Sequence, residues 1–204
     1  MQNIIFDFDG VLGDTDDLFA RFHLHTDSYI SYEDAMKRHQ NYFLTTTHSH
    51  RDNPTQEHIN TKAQWLTDFM SFAKEAELLP VPLFNEFIDI LVDLNIPNKA
   101  IVSSGTQEYI IPAIQKTQLN PSHILGFEDH HSKEEKIQIV CNDWGVSPTD
   151  TIYFTDTISD VLEVQDMVGT VIGCAWGTHG YELLSQVLPK EQILQNYQDI
   201  HRLF

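Results

Sequence analysis

The sequence predicts a doubly wound α/β fold, in which a parallel sheet is covered by helices on both faces. Short apolar runs alternate with longer amphipathic stretches along most of the 204 residues, and this alternation is typical of parallel sheets with crossover helices. One long segment without a strand pattern interrupts the alternation after the first apolar run. That segment predicts a small, all-helical insert following the first strand.

Four apolar runs are predicted to form the strands of the sheet. Each is short, rich in β-branched or aromatic side chains and bounded by polar residues, as expected of a buried strand. The runs are Asn3 to Phe8, Ala100 to Ser103, Thr151 to Thr155 and Thr170 to Ala175. Hydrophobic residues make up 41% of the chain, which is enough for one ordinary domain with a small insert.

Helices are predicted between these strands. Apolar residues recur at helical spacing from Phe84 to Leu94 and again from Ile137 to Trp144. The second pattern stops at Gly145, a residue type favoured just beyond a helix C-terminus, and a proline follows soon after. These helices are expected to pack against the sheet and complete its two layers.

The insert is predicted to run from residue 15 to residue 82 and to contain helices only. Ser31 begins a capping-box pattern at the start of one helix, and Thr55 is a suitable cap for the next. A Pro-Val-Pro segment then ends the helical region. We therefore expect the α/β core to consist of residues 1–14 and 83–204.

The charge of the chain restricts its partners. With 12 basic and 30 acidic side chains, the net charge is −18, and this field repels the phosphate backbone of nucleic acids. A small phosphate ester is still compatible, because one cation and a few backbone N–H groups neutralise it locally. The sequence has no apolar stretch long enough to predict a membrane segment, so we expect no membrane partner and a cytoplasmic location. The oligomeric state is not readable from the sequence.

Chemically active side chains follow the predicted strands at several places. In chain order they are the pair Asp7 and Asp9 with Gly10, the group Ser103, Ser104 and Gly105, then Lys133, and finally the pair Asp156 and Asp160. Each group alone also fits a helix cap, a turn or a solvated surface. Because the carboxyl ends of parallel strands meet at one edge of a sheet, the groups together predict a single site.

The residue types of this site suit a phosphate ester and a divalent cation. Carboxylates are the hard oxygen ligands that Mg²⁺ prefers. Gly10 permits a sharp turn and lets backbone N–H groups approach an anion closely. The hydroxyl and N–H groups that follow the second predicted strand, at the start of a helix, are also suited to an anion. Lys133 would complete such a site by supplying positive charge.

The complete set of motifs resembles that of the haloacid dehalogenase superfamily of hydrolases. The similar segments are IIFDFDGVLGDT at 4–15, AIVSSG at 100–105, Lys133, and FTDTISDV at 154–161. The segment VIGCAWGTHG at 171–180 is also similar to a recurring segment of the phosphoglycolate-phosphatase-like branch. The resemblance covers these motifs and nearly the whole of residues 83–177.

The resemblance implies a Rossmann-like core with a helical cap, and a Mg²⁺-dependent phosphatase acting on a small phosphorylated metabolite. It implies that Asp7 is the nucleophile and a Mg²⁺ ligand. Asp9 would be the general acid and base, with its backbone carbonyl on the metal. Through these two residues the reaction would pass through an aspartyl-phosphate intermediate.

The remaining motif residues would bind the phosphoryl group and the metal. The resemblance implies that Ser103 and the neighbouring N–H groups, with Ser104 and Gly105, hold phosphoryl oxygens, and that Lys133 neutralises their charge. Asp156 would bind Mg²⁺, and Asp160 would support the metal or the lysine.

Several functions remain open at this point. Asp9 favours phosphate chemistry over dehalogenation, because dehalogenases of this superfamily lack the second acid of the first motif. A phosphomutase of the same fold has the same motifs and passes the phosphoryl group to a sugar hydroxyl. A phosphate-accepting signalling module and a catalytically silent binding protein are further alternatives.

Three features depart from the family pattern or extend it. Lys133 is followed by glutamate where this branch commonly has proline, so Lys136 is a rival for the catalytic lysine. Thr155 replaces the commonest glycine of the fourth motif and is expected to point away from the metal. Arg51, in a polar loop at 45–53 of the cap, is a candidate for binding a substrate carboxylate or a second phosphate.

Overall fold

A computed structural model describes residues 3–45 and 54–204 of the chain. Six strands form one parallel sheet in the order β3-β2-β1-β4-β5-β6. The strands are β1 (Asn3–Phe6), β2 (Asn98–Val102), β3 (His123–Leu125), β4 (Thr151–Thr155), β5 (Thr170–Cys174) and β6 (Ile193–Leu194). The strand order reverses direction next to β1, which confirms the predicted doubly wound sheet.

Helices connect the strands and cover the sheet. They are α1 (Asp16–Thr26), α2 (Tyr32–Thr45), α3 (Gln56–Glu75), α4 (Asn85–Asp93), α5 (Gln107–Ile114), α6 (Lys133–Trp144), α7 (Ile158–Val164) and α8 (Gly180–Leu184). Short 3₁₀ segments lie at Pro148–Asp150, Lys190–Gln192 and Tyr197–Arg202. Within the described ranges, no helix combines the length and the apolar character needed to cross a membrane.

The two faces of the sheet are buried in separate hydrophobic clusters. Successive side chains of a strand point to opposite faces, and in β1 the side chains of Ile4 and Phe6 join one cluster, whereas Ile5 joins the other. All three are fully buried. The central strand is therefore apolar throughout, which is why it reads as a continuous hydrophobic run.

The predicted strands agree closely with the observed ones, with one informative difference. β4 has the predicted bounds, but β1 ends at Phe6 instead of Phe8. The chain turns here because the carbonyl of Phe8 accepts the N–H groups of Val11, Leu12 and Gly13 at 3.3, 2.9 and 2.8 Å. This turn places the first pair of acids at the end of the strand and not within it.

Two edge strands were not predicted. β3 has three partly buried residues and β6 has only two residues. Segments this short cannot show a hydrophobic periodicity. They are strands because they pair with β2 and β5.

Between β1 and β2, the regular elements of the sheet and helix layers that the structure describes are all helices. The Ser31 hydroxyl accepts the Asp34 N–H at 3.1 Å, and the Asp34 carboxylate accepts the Ser31 N–H at 3.4 Å. Thr55 caps α3 by accepting the N–H of His58 at 3.3 Å. Both predicted helix starts are therefore confirmed, while Arg51 lies outside the described residues.

Backbone hydrogen bonds join the two ends of this helical insert at the edge of the core. The Asp14 N–H donates to the Pro82 carbonyl at 3.0 Å, and the Phe84 N–H donates to the Leu12 carbonyl at 2.9 Å. The insert also packs on the core through Phe69, whose ring meets that of Tyr109 edge to face at 5.8 Å. The chain thus leaves and re-enters the core at one place.

We predict that Gly145→Ala lowers the free energy of unfolding by about 1 kcal/mol. Gly145 ends α6 in the left-handed conformation (φ 68°, ψ 34°), which costs residues with a Cβ about 1–2 kcal/mol. A Cβ here would meet no atom within 4 Å, so the cost is purely conformational. Urea denaturation measures it. Gly145→Asn is the control and should lose less, whereas equal stability of all three proteins would contradict the explanation.

Candidate active site

The predicted site residues converge at the carboxyl ends of β1, β2 and β4. They surround a cavity of about 30 Å³, which has room for a small ion or water. Its walls include Asp7, Asp9, Ser104, Lys133, Asp156 and Asp160. His39 and Phe43 of α2 also reach this cavity. The sheet therefore brings together motifs that are up to about 150 residues apart in the sequence.

A buried lysine links two of the acids. The Nζ atom of Lys133 lies 2.7 Å from Oδ2 of Asp7 and 2.5 Å from Oδ2 of Asp160. The Thr155 hydroxyl donates to the same Asp160 oxygen at 2.9 Å, so its side chain points to Asp160. Asp160, predicted to support the metal or the lysine, thus contacts the lysine and orients it toward Asp7.

The ionisation of Asp7 depends on this lysine. Burial raises the pKa of the Asp7 carboxyl well above its usual range; Lys133 opposes this shift, and the nearby Asp160 and Asp156 add to it. A nucleophilic carboxylate must be ionised, so further positive charge beside Asp7 would favour the reactive form.

Asp156 has an unsatisfied oxygen. Its Oδ2 accepts the Thr178 N–H at 2.8 Å, but its buried Oδ1 has no hydrogen-bond partner among the described residues. Burial raises the pKa of Asp156 to about 8, with Asp16 contributing. A buried carboxylate oxygen without a partner is costly and indicates a ligand at this position.

Gly10 makes room for Asp156. It has a positive φ of 68°, and a Cβ built on it would lie 1.9 Å from Oδ2 of Asp156. Its own N–H donates to the Gly13 carbonyl at 2.9 Å, which closes the turn after β1. The structure thus explains the glycine by close packing, while its predicted contact with phosphate stays a prediction.

The donor set fits Mg²⁺. Asp7 and Asp156 supply hard carboxylate oxygens to the cavity, one of them unpartnered. Among the described residues, no three histidine, cysteine or acidic side chains are close enough to hold a metal by themselves. Mg²⁺ does not need such a cage, because it is usually bound by one or two carboxylates together with waters and substrate phosphate.

Asp9 is held by two hydroxyl groups. Tyr109 donates to its Oδ2 at 2.7 Å, and Thr15 donates to its Oδ1 at 2.9 Å. Burial raises the pKa of Asp9, although both hydrogen bonds act in the opposite direction. A fixed carboxyl group with a raised pKa is suited to giving up and taking back a proton.

The loop after β2 is held by hydrogen bonds of buried side chains. Ser103 is fully buried, and its hydroxyl accepts the Gly105 N–H at 2.9 Å. Ser104 lines the small cavity. The Nζ atom of Lys136 donates to the carbonyls of Ser103 and Gly126 at 2.5 and 3.2 Å. Lys136 therefore supports the loop, and it is Lys133 that reaches Asp7.

Sequence reasoning missed the residues that hold the acids in place. Thr15 and Thr178 lie within segments already recognised as motifs, at 4–15 and 171–180. Their position in these motifs could have indicated that they lie close to the acids. Tyr109 gave no signal, because it is 100 residues from the acid that it contacts. Gln40 of α2 was also missed: its side chain donates to the Thr178 carbonyl at 2.8 Å, next to Asp156.

Comparison with known families identifies the class of protein. Residues 4–173 match the family model described as haloacid dehalogenase-like hydrolase. The match covers most of the chain and includes the segments at 4–15, 100–105 and 154–161 together with Lys133. The protein therefore belongs to the haloacid dehalogenase-like hydrolases.

Solved structures share the fold over the whole chain. A haloacid dehalogenase-like family hydrolase from Streptococcus pneumoniae has a TM-score of 0.76 at 17% identity, covering 100% of this chain and 98% of its own. A predicted phosphatase from Clostridium acetobutylicum has a TM-score of 0.72 at 15% identity (99% and 97% covered). A predicted phosphoglycolate phosphatase from Haemophilus somnus has a TM-score of 0.69 at 16% identity (100% and 97% covered). No curated protein matches the sequence significantly.

We predict that Lys136 makes stability depend on pH. Burial lowers the pKa of Lys136 from 10.5 to about 7 in the folded protein. Between these values the unfolded chain binds a proton that the folded protein does not, so the free energy of unfolding rises with pH. The contribution is about 1.4 kcal/mol per pH unit.

Urea denaturation of the wild type and of Lys136→Met, in metal-free buffer between pH 7.5 and about 9.5, measures this dependence. The difference in unfolding free energy, wild type minus variant, should increase with pH. A difference that is constant across this range would show that Lys136 keeps its proton in the folded state.

Proposed function

We propose that this protein is a Mg²⁺-dependent phosphatase that hydrolyses a small phosphorylated metabolite through an aspartyl-phosphate on Asp7. The observation that carries the proposal is the contact of Lys133 with Asp7, at 2.7 Å, in a cavity that also contains the unpartnered oxygen of Asp156. A carboxylate nucleophile and a phosphate ester are both negatively charged and repel each other. The reaction therefore requires positive charge beside Asp7, which Lys133 and a bound cation would supply.

In the first step, an Asp7 carboxylate oxygen attacks phosphorus and forms a phosphorus–oxygen bond. The bond between phosphorus and the oxygen of the leaving alcohol breaks, and the carboxyl group of Asp9 gives its proton to that oxygen. The pKa of Asp9, which burial raises above its ordinary value, supports this role, because a raised pKa favours the protonated form that acts as the acid.

In the second step, water attacks the phosphorus of the aspartyl-phosphate. The Asp9 carboxylate, oriented by Tyr109 and Thr15, takes a proton from this water. The bond between phosphorus and the Asp7 oxygen breaks, and inorganic phosphate leaves. Asp7 is again a carboxylate and Asp9 is again protonated, so the enzyme returns to its initial state.

The other motif residues would neutralise and position the phosphoryl group. Mg²⁺, when held by Asp7, Asp156 and the backbone carbonyl of Asp9, would screen the charge of the phosphoryl oxygens. Lys133 would add a fixed positive charge, with Asp160 holding the ammonium group in place. The loop of Ser103, Ser104 and Gly105, together with the turn at Gly10, would bind phosphoryl oxygens.

We assign the hydrolytic core to residues 1–14 and 83–204 and the cap to residues 15–82. The backbone hydrogen bonds between 12–14 and 82–84 support this boundary, because they close the insert at its base. The neighbours described as predicted phosphatases support a small phosphate ester as substrate. The net charge of −18 argues against nucleic acid, and we expect the protein to act in the cytoplasm.

We predict that the protein releases inorganic phosphate from small phosphate monoesters when Mg²⁺ is present, and that Asp7→Asn abolishes this release. The amide is isosteric but does not act as the nucleophile. Phosphate is measured colorimetrically with Mg²⁺ or with a chelator. Chromatography of the products identifies any sugar phosphate isomer, which would point to a mutase. Equal activity of the wild type and Asp7→Asn would contradict the assignment of the nucleophile.

We predict that Asp9→Asn separates the two steps. With p-nitrophenyl phosphate, whose leaving group needs no proton, this variant should release about one equivalent of nitrophenolate and then stop, because no base activates the water. Stopped-flow absorbance measures the burst. Turnover of ordinary alkyl esters should fall about 10²–10⁴-fold. Asp7→Asn is the matched control and should show no burst. Steady turnover by Asp9→Asn without a burst would remove Asp9 from the mechanism.

A further inference from the structure

A second, larger cavity adjoins the candidate active site. It measures about 410 Å³ and lies between the core and the helices of the insert. Asp9, Ser104, His39 and Phe43 line both cavities, so the larger one opens directly from the smaller. Because Asp9 is proposed to protonate the leaving alcohol, the rest of the leaving group extends into this larger cavity.

The walls of this cavity are mainly aromatic. Six aromatic rings line it: Phe19, Tyr42, Phe43, Trp65, Tyr109 and Phe127. They come from α1, α2, α3, α5 and the loop after β3, so rings face the cavity from the insert and from the core. Two aliphatic side chains of α3, Ile59 and Leu66, also line the cavity.

Several of these rings pack against another aromatic ring. The Phe19 ring stacks on His39 at 4.7 Å and lies 6.0 Å from Trp65. The Tyr42 and Phe43 rings meet edge to face at 5.0 Å. Tyr109 donates its hydroxyl hydrogen to Asp9, so this polar group is satisfied. Phe19, Trp65, Tyr42 and Phe43 therefore each lie against another aromatic ring.

Few of the described side chains that line the cavity carry a permanent charge. Among the described lining residues, Asp9 is the one carboxylate and Lys62 is the one lysine or arginine. Four histidines also line the cavity: His23, His39, His58 and His131. The Lys62 ammonium lies 5.2 Å from the centre of the Trp65 ring. A two-carbon acid such as glycolate is too small to cover the aromatic walls, so most of their apolar surface would stay in contact with water. Binding such an acid would therefore gain little free energy from hydrophobic burial.

We propose that the preferred substrates are phosphate monoesters whose leaving alcohol carries a planar aromatic ring. This inference rests on the proposed phosphatase function and adds the chemical class of the leaving group. A ring in the cavity gains the burial of its apolar surface. It also gains the edge-to-face and offset-stacked contacts that aromatic pairs make beyond area alone.

Three primary alkyl phosphates test this proposal: 2-phenylethyl phosphate, 2-cyclohexylethyl phosphate and phosphoglycolate. All three leave as primary alcohols. The first two differ in whether the ring is planar and aromatic. We expect kcat/KM for the phenyl ester to exceed that of the cyclohexyl ester about fivefold. It should exceed that of phosphoglycolate by about tenfold or more.

Two variants connect this preference to the cavity. Trp65→Leu keeps an apolar side chain but removes the largest ring, and Tyr42→Leu removes a ring at a position that is 50% exposed. Each should reduce the phenyl-to-cyclohexyl ratio toward one, mainly by raising KM for the phenyl ester. Tyr29→Leu is the matched control: Tyr29 is 98% exposed, lies outside the cavity and should leave the ratio unchanged.

Binding to Asp7→Asn separates this inference from the proposed reaction. Calorimetry should show tighter binding of 2-phenylethyl phosphate than of 2-cyclohexylethyl phosphate, even if neither ester is hydrolysed by the wild type. That result would uphold the aromatic site while rejecting the phosphatase function. Equal binding and equal turnover of the two ring esters would overturn the inference, and phosphate release from either would leave the phosphatase function standing.

Discussion

The buried contact of Lys133 with Asp7 and Asp160 is the interaction on which the candidate site depends. Lys133 is 1% exposed, and both carboxylates are largely buried. An ammonium group this deep is tolerated only when it is paired and hydrogen-bonded, since its desolvation is otherwise too costly. The pairing links the start of α6 to α7 and to the turn after β1. It also places positive charge beside the carboxylate that we propose as the nucleophile.

The parallel sheet makes this contact geometrically available. Asp7, Ser104 and Asp156 follow different strands, but their strands end at the same edge, where turns leave backbone groups and short side chains exposed to one cavity. The core alone would present this edge to solvent. The insert covers it, because α2 contributes His39 and Phe43 to the cavity wall and its Gln40 binds the carbonyl of Thr178. The proposed phosphate chemistry therefore belongs to the core, and the proposed recognition of the leaving group belongs to the surface that core and insert share.

The sequence by itself determined the fold class, the main strands and the positions of the acids. These features follow from local rules: a buried strand must be apolar, a helix start needs a cap, and a ligand site of a parallel sheet lies at strand ends. β4 had the predicted bounds, and Ser31 and Thr55 cap their helices as predicted. The resemblance to a known family added roles for the acids that spacing alone left open.

Only the tertiary structure decided which lysine meets Asp7 and what surrounds the acids. Lys133 and Lys136 are three residues apart, about one turn, on the same helix. The first contacts carboxylates and the second contacts backbone carbonyls. The contact of Tyr109 with Asp9 and the aromatic walls of the large cavity join residues distant in the chain. Such contacts depend on how whole elements pack, and no local pattern encodes that packing. The sequence determined which reactive groups are present, and the packing decided what each of them contacts.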